Sequence, residues 1–154
     1  MGLVRPLCQN ASAYTCLEYA PRSLAAFHRA FPADGAALGD AAHLPFADAS
    51  FDTVLCIMML HHLHDAAARG CIAQSARVLR PGGRMFLVEP LWSPERWRGR
   101  MLWRLDRGAY PRSMQENIAL IEALFTVVYK ERFSVHHEYV LCEACLYGGH
   151  AWNE

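Results

Sequence analysis

Several side chains near the middle of the sequence could do chemistry, because histidines and an acidic residue lie close together there. His61, His62, His64 and Asp65 follow an apolar stretch. Imidazoles act as general bases near pH 7, so this cluster is a candidate site of proton abstraction. Neutral imidazoles also bind divalent metal ions, which is a second use for the same residues. The structural alternative is that the segment is only the turn into the next helix.

Acidic residues stand at the ends of several short apolar stretches. Glu18, Asp40 and Glu89 occupy such positions, and Cys56 lies near the end of another stretch. Ligands bind at the carboxyl ends of parallel strands, so these residues are predicted to face a ligand. The carboxylate of Glu18 can accept hydrogen bonds from a ribose diol, although a solvated strand-end acid is the structural alternative. Asp40 can accept from an exocyclic amine while the N–H of Ala41 donates to a ring nitrogen, and together they would bind an adenine edge.

Cysteines near the C-terminus raise the question of a metal site. Cys142 and Cys145, with His150 and either His136 or His137, could supply four zinc ligands. Residues three apart on a strand point to opposite faces, so packing within a strand is the favoured interpretation and no metal is predicted. The chain is too long and too apolar to need a disulfide framework, which favours reduced thiols and a cytoplasmic location.

Length, composition and charge argue against several classes of protein. The 154 residues are 53% apolar and 19% charged, which predicts a single folded domain over residues 1–154 rather than a disordered chain. No apolar run approaches the roughly 20 residues that cross a membrane, and the first residues lack the apolar core of a secretory signal. The formal net charge is zero, which lowers the expectation of nucleic-acid binding.

One segment is strongly basic. Residues 66–112 carry ten arginines and three acids. Within them, residues 96–107 place tryptophan, methionine and leucine on one helical arc, with arginines on the neighbouring arc. We interpret residues 92–112 as a lid or substrate-binding insertion. The alternatives are a peripheral contact of residues 96–107 with an anionic membrane surface and a core helix with a solvated basic face.

The apolar periodicity predicts the elements that position these residues. Predicted strands cover residues 13–18, 36–40, 51–59, 84–89, 126–133 and 138–147. Predicted helices cover residues 23–31, residues 65–79 with Asp65 as the cap, and a segment that begins with a capping box at residues 113–116. This order predicts an α/β fold, a Rossmann-like three-layer sandwich with a mostly parallel sheet. The last two strands have no helix between them, which predicts an antiparallel C-terminal hairpin.

Several motifs together resemble a known protein family. They are residues 39–52, the Leu60–His62 segment, residues 77–83, and Glu89 with Pro90. On these motifs the sequence resembles the class I S-adenosylmethionine-dependent methyltransferases, and most of all their small-molecule group called methyltransferase type 11. The resemblance implies a Rossmann-like fold with S-adenosylmethionine as cofactor. It also implies methyl transfer to a small-molecule acceptor, at oxygen or nitrogen rather than at carbon.

The resemblance also implies roles for individual residues. Glu18 would hold the ribose of the cofactor, and Asp40 with Ala41 would hold the adenine. The segment from Cys56 to His62 would lie beside the methionine part and the methyl acceptor, which makes Cys56 and His61 cofactor contacts. Related quinone- and phenol-methylating members carry a histidine at the position of His62. His62 is therefore the preferred general base, and His61 is the second candidate.

The start of the sequence departs from the family pattern. The family's first strand and glycine-rich loop should precede the strand that ends at Glu18, yet residues 1–13 contain no Gly-x-Gly, and only Gly2 could belong to such a loop. We therefore expect an N-terminally truncated domain that does not complete a cofactor site alone. A homodimer or a complementing chain is the expected partner. The alternative function is an inactive methyltransferase-like fragment or partner subunit, and the absent Gly-x-Gly-x-x-Gly counts against a dehydrogenase.

Overall fold

The structure is a computed structural model that describes residues 4–92, 110–135 and 138–147. Most of the predicted lid at 92–112 and the whole of the basic segment at 96–107 lie outside these ranges. Three histidines and one glycine named above also lie outside them: His136, His137, His150 and Gly2. The chain divides into two compact units, Met1–Pro45 and Phe46–Glu154. The interpretation of residues 1–154 as a single domain stays a prediction.

Two parallel strands and one helix build the first unit. Strand β1 (Thr15–Glu18) pairs with strand β2 (Gly35–Leu38), and helix α1 (Pro21–Ala30) connects them. Phe27 of α1 is buried in this unit, and its ring stacks on that of Tyr14 with 6.0 Å between the ring centroids. The β-α-β connection brings the carboxyl ends of both strands to the same edge of this small sheet.

A four-stranded sheet with packed helices builds the second unit. Its elements in chain order are β3 (Phe51–Ile57), α2 (Asp65–Val78), β4 (Leu79–Pro90), α3 (Met114–Glu122), β5 (Phe125–Ser134) and β6 (Glu138–Leu146). The strand order is β3-β4-β6-β5, in which β3 and β4 are parallel and β6 is antiparallel to both of its neighbours. Its core contains large buried apolar side chains, among them Leu60, Ile72, Met85, Leu87, Ile121, Phe125 and Val140.

Local sequence explains several of these elements. On β6 the side chains of Val140, Cys142 and Ala144 are buried while their neighbours are only half-buried, which is the period of two of a strand with one covered face. Helix α3 begins with the predicted capping box. The Oγ of Ser113 accepts the N–H of Glu116 at 3.2 Å, and the Glu116 carboxylate accepts the N–H of Ser113 at 2.7 Å.

The α/β architecture and the antiparallel C-terminal hairpin are confirmed. The strands of the described residues are divided between two sheets, with two strands in the first unit and four in the second, rather than joined in one sheet. Strand β4 is also longer than predicted, because it begins at Leu79, directly after α2, and bulges before it pairs regularly with β3 from Arg84 onward.

The predicted cap of α2 is wrong. His64 occupies the cap position, and its Nδ1 accepts the N–H of Ala67 at 3.4 Å. Asp65 is the first helical residue, and its carboxylate accepts a hydrogen bond from Arg112 at 2.7 Å instead. An acidic side chain is still favourable in this first turn, because its negative charge is attracted to the positive end of the helix dipole.

The bulge of β4 contains two glycines whose surroundings differ. A Cβ at Gly83 would lie 2.9 Å from the carbonyl oxygen of Arg80 and 3.1 Å from that of Asp52, both backbone atoms. Gly82 has a φ of +78°, and a Cβ added at this residue would have no other atom within 4 Å. We expect Gly83→Ala to lower the free energy of unfolding by about 2–3 kcal/mol, because the backbone must move to admit the methyl group. Urea denaturation measures this change.

The matched control for that substitution is Gly82→Ala. It meets no neighbouring atom, so only the left-handed backbone opposes it, at a cost of about 1–2 kcal/mol. A Gly83→Ala protein as stable as the Gly82→Ala protein would contradict the close packing of the bulge.

Candidate active site

Two carboxylates lie at neighbouring strand ends in the first unit. Strand β1 ends at Glu18, which is in register with Leu38 of β2, and Asp40 follows two residues later. The N–H of Gly39 donates to the carbonyl oxygen of Glu18 at 3.0 Å, so the backbone ties the two strand ends together. A Cβ at Gly39 would lie 3.1 Å from the side chain of Leu17, which shows how closely this turn approaches β1.

Asp40 organises its own turn and remains charged. Its Oδ1 accepts the N–H of Ala42 at 2.9 Å, and its carbonyl oxygen accepts the N–H of His43 at 2.9 Å. The hydrogen bond from Ala42, with a smaller effect of the His43 ring, holds the pKa of Asp40 below its usual value. An ionised carboxylate only accepts hydrogen bonds. Glu18 and Asp40 therefore fit a ligand that offers hydroxyls and an amine, as adenosine does, with Ala41 in the same turn.

A short 3-10 helix follows β3, and we call Leu60–His62 the histidine turn. The chain enters it through Met58, whose φ of 55° lies in the left-handed region that residues with a side chain rarely adopt. Such a conformation costs about 1–3 kcal/mol and persists only where surrounding contacts enforce it. The N–H of Met58 donates to the carbonyl oxygen of Val88 at 2.8 Å, and charged side chains bind the residues that follow Met58.

The carboxylate of Glu89 binds the N-terminal end of the histidine turn. Glu89 is 1% exposed and lies on the same buried face of β4 as Leu87. Its Oε1 accepts the N–H of Met59 at 2.6 Å and that of Leu60 at 2.8 Å. Its Oε2 accepts the N–H of His61 at 3.3 Å and lies 2.7 Å from Nδ1 of the His61 ring. These hydrogen bonds replace water, which is what makes a buried carboxylate tolerable.

Arg112 binds the C-terminal end of the histidine turn. Its side chain is 7% exposed. Its guanidinium donates to the carbonyl oxygens of Leu60 at 2.7 Å and Leu63 at 2.8 Å. The same group hydrogen-bonds Asp65, and this contact lowers the pKa of the Asp65 carboxyl group. A negative charge at the N–H end and a positive charge at the carbonyl end both match the dipole of a helical turn.

The two predicted bases have different surroundings. His61 is 4% exposed and its ring is hydrogen-bonded to Glu89, whereas His62 is exposed. The two ring centroids are 4.0 Å apart with 44° between the planes. His62 is therefore the imidazole that a dissolved acceptor can reach. His61 is the imidazole whose orientation the protein interior determines.

Cys56, a predicted cofactor contact, has its thiol in the core. Its side chain is 3% exposed on β3. A hydrogen bond with Cys71 of α2, together with burial, raises the pKa of the Cys56 thiol well above its usual value. A cofactor contact at Cys56 stays a prediction, and the thiol itself packs among core side chains.

No metal centre is formed by the residues that the structure describes, since none of their histidine, cysteine and acidic side chains form a group of three or more that could hold an ion. Cys142 is buried and Cys145 half-buried, and both are free thiols on β6. Burial raises the pKa of Cys142 to about 11. Zinc binds thiolates, so this environment favours the interpretation that Cys142 packs within the strand.

Sequence reasoning missed the role of Glu89 and missed Arg112 entirely. A period of two along β4 places Glu89 on the buried face with Met85 and Leu87, which was a usable signal for a buried charge that needs partners. No comparable signal marks Arg112. Its carbonyl partners at Leu60 and Leu63 are 52 and 49 residues away along the chain.

Comparison with known proteins decides the family. The profile of the methyltransferase domain family matches residues 2–87, which is more than half of the chain. The chain belongs to this family. A curated relative of this methyltransferase domain, the 27-O-demethylrifamycin SV methyltransferase of Amycolatopsis mediterranei, is 51% identical over 55 residues. That match covers 36% of this chain and 20% of the relative, so the chain spans about a fifth of that relative's length.

Two solved structures share the fold of this methyltransferase domain. The N-methyltransferase NodS of Bradyrhizobium japonicum, in complex with S-adenosyl-L-homocysteine, has a TM-score of 0.72 at 16% identity, covering 94% of this chain and 71% of NodS. A Haloferax volcanii putative methyltransferase, in complex with the Trm112 methyltransferase activator, has a TM-score of 0.76 at 16% identity. The match covers 98% of this chain and 78% of the Haloferax volcanii protein. At these identities the likeness establishes the Rossmann-like fold alone. S-adenosylmethionine is the cofactor of the family.

Proposed function

We propose that this methyltransferase domain transfers the methyl group of S-adenosylmethionine to an oxygen or a nitrogen of a small-molecule acceptor. The observation that carries the proposal is the exposed imidazole of His62, which follows the carboxyl end of β3 and lies 4.0 Å from the ring of the buried His61. Ligands bind at this edge of parallel sheets. A base at this position suits acceptors that lose a proton when they are methylated.

Some of the proposed site residues bind the cofactor, and another removes a proton from the acceptor. Glu18 holds the ribose hydroxyls, and Asp40 with the N–H of Ala41 holds the adenine edge. His62 removes a proton from the acceptor hydroxyl or ammonium group, which leaves a lone pair on the atom that receives the methyl group. The cofactor supplies that methyl group. A positioned general base of this kind accelerates a reaction by about 10²- to 10⁴-fold.

An oxygen acceptor has support from the relative described above. The Amycolatopsis mediterranei enzyme is named for a 27-O-demethylated substrate. Because its similarity to this chain covers 55 residues, it supports the class of reaction and not the particular acceptor. A test for the acceptor therefore needs a panel of catechols, hydroquinones and primary amines, with release of S-adenosylhomocysteine as the common measurement.

Cofactor binding by the strand-end carboxylates gives the first test. We expect S-adenosylhomocysteine to bind to the chain together with the second copy or complementing chain that is expected to complete the site. We expect Glu18→Ala and Asp40→Ala each to raise its Kd by about tenfold or more. A hydrogen bond to a charged group contributes about 1.5–3 kcal/mol, which corresponds to that range of affinity. Isothermal titration calorimetry measures the three dissociation constants.

Asp52→Asn is the matched control, because its carboxylate is 78% exposed and pairs with Arg80 on the surface of the second unit. Its Kd should equal that of the unmodified protein. Unchanged affinity in both Glu18→Ala and Asp40→Ala would show that the adenosine site is assigned to the wrong residues. No binding at millimolar ligand by a folded sample would favour the alternative, an inactive fragment or partner subunit.

Partner chains, membrane contact and location stay predictions. The Haloferax volcanii methyltransferase is in complex with an activator protein. That complex supports the expectation that a second copy or a complementing chain joins this domain. Peripheral contact through residues 96–107 and a cytoplasmic location are also expected.

Membrane crossing by a helix finds no support in residues 4–92, 110–135 and 138–147. None of the helices there has both the length and the apolar character that such a crossing requires.

A further inference from the structure

Glu89 contacts the histidine turn through both oxygens of its buried carboxylate. The proposed reaction assigns no role to this carboxylate. We propose that Glu89 is a positioning residue, which keeps a proton on Nδ1 of His61 and holds the histidine turn so that the His62 ring is presented to the acceptor. This inference rests on the proposed function only in taking His62 as the base. The protonation of His61 can be tested without any turnover.

The state of the His61 ring follows from the chemistry of its partner. Nδ1 of His61 lies 2.7 Å from Oε2 of Glu89, at hydrogen-bond distance. The Glu89 carboxylate also accepts three backbone N–H groups, as an ionised carboxylate does. Because an ionised carboxylate cannot donate, the proton in this contact belongs to Nδ1 of the imidazole. The hydrogen bond on one ring nitrogen thus determines where the neutral ring carries its proton.

The backbone carries this control from His61 to His62. The two residues are adjacent in one turn, whose first N–H groups point at Glu89. The N–H of His62 donates to the carbonyl oxygen of Met59 at 3.0 Å, and the N–H of Tyr110 donates to the carbonyl oxygen of His61 at 3.1 Å. A displacement of the carboxylate must therefore move the backbone that carries both rings, which lie 4.0 Å apart.

Glu89→Gln separates the chemical role from the structural one. The amide oxygen of glutamine can still accept the N–H groups of Met59 and Leu60. Its NH₂ group then faces His61 and can only donate, so the hydrogen bond requires a lone pair on Nδ1. We expect the neutral His61 ring to move its proton from Nδ1 to Nε2. Long-range ¹H–¹⁵N correlation spectra of the histidine rings report this change directly.

The kinetic part of the experiment uses the panel acceptor with the highest turnover. We expect Glu89→Gln to lower kcat by about 10- to 100-fold, since small displacements of a reacting group have effects of that size. The Kd for S-adenosylhomocysteine should change much less than in Glu18→Ala and Asp40→Ala, because the assigned adenosine contacts are not substituted. Glu143→Gln is the matched control: its carboxylate lies on β6 and pairs with Arg84, and its kcat and His61 spectrum should equal those of the unmodified protein.

Specific outcomes overturn the inference. An unmodified protein with no proton on Nδ1 of His61 does so, and this measurement needs no variant to fold. A Glu89→Gln protein that is folded and retains full kcat also does so. If His61 responds as expected but the unmodified protein neither binds S-adenosylhomocysteine nor turns over the panel, the control of His61 by Glu89 stands and the proposed function fails.

Discussion

Replacing His62 by alanine is expected to lower kcat by about 10²- to 10⁴-fold, the usual contribution of a positioned general base. The substitution removes an exposed imidazole, so it leaves no cavity and no unpaired group in the core. The Kd for S-adenosylhomocysteine should therefore stay the same. We expect kcat and kcat/KM to fall together, because the lost interaction acts in the transition state. Steady-state kinetics with the best panel acceptor measures both quantities.

Chemical rescue sharpens this expectation, because free imidazole is small enough to take the place of the missing side chain. Added imidazole should restore part of the rate. His28→Ala is the matched control, since His28 is an exposed histidine in the last turn of α1. A His62→Ala protein with full kcat would show that another group accepts the proton.

Replacing Arg112 by methionine should lower the free energy of unfolding by about 2–4 kcal/mol. Methionine retains much of the packing of the arginine stem but cannot donate hydrogen bonds. The carbonyl oxygens of Leu60 and Leu63 then lose donors at 2.7 and 2.8 Å. The substitution also removes the positive charge of the guanidinium, which is attracted to the negative, carbonyl end of the histidine turn. Urea denaturation followed by circular dichroism measures the loss of stability.

Arg80→Met is the matched control for that experiment. Arg80 is 52% exposed and pairs with Asp52, which is 78% exposed. Surface ion pairs of this kind contribute about 0–1 kcal/mol, so the control should be nearly as stable as the unmodified protein. Equal stability of Arg112→Met and Arg80→Met would mean that the histidine turn does not depend on its guanidinium contact.

Much of the fold was predictable because it depends on local patterns. The alternation of buried side chains on β6 and the capping box of α3 are visible in consecutive residues, and both were predicted correctly. The α/β class followed from the order of such elements. Errors arose where a distant residue intervenes. The sequence suggests Asp65 as the helix cap. In the structure the Asp65 carboxylate accepts a hydrogen bond from Arg112, and His64 occupies the cap position.

The candidate site was predictable only in part. Glu18 and Asp40 were predicted as ligand contacts because acids that end apolar stretches lie at the ligand-binding edge of a parallel sheet, and they do lie at neighbouring strand ends. Cys56 follows the same rule, yet its thiol faces Cys71 in the core, since adjacent positions on a strand point to opposite faces. The spacing of residues alone does not say which face is covered by a helix.

The sequence by itself determined the family, the order of the elements and the pair of adjacent histidines at the end of β3. Only the tertiary structure decided that His61 is buried and His62 is exposed. It also brought Glu89 and Arg112 to opposite ends of the histidine turn, from 28 to 52 residues away. A buried charge needs hydrogen-bond partners in space, and the chain has to fold before those partners exist.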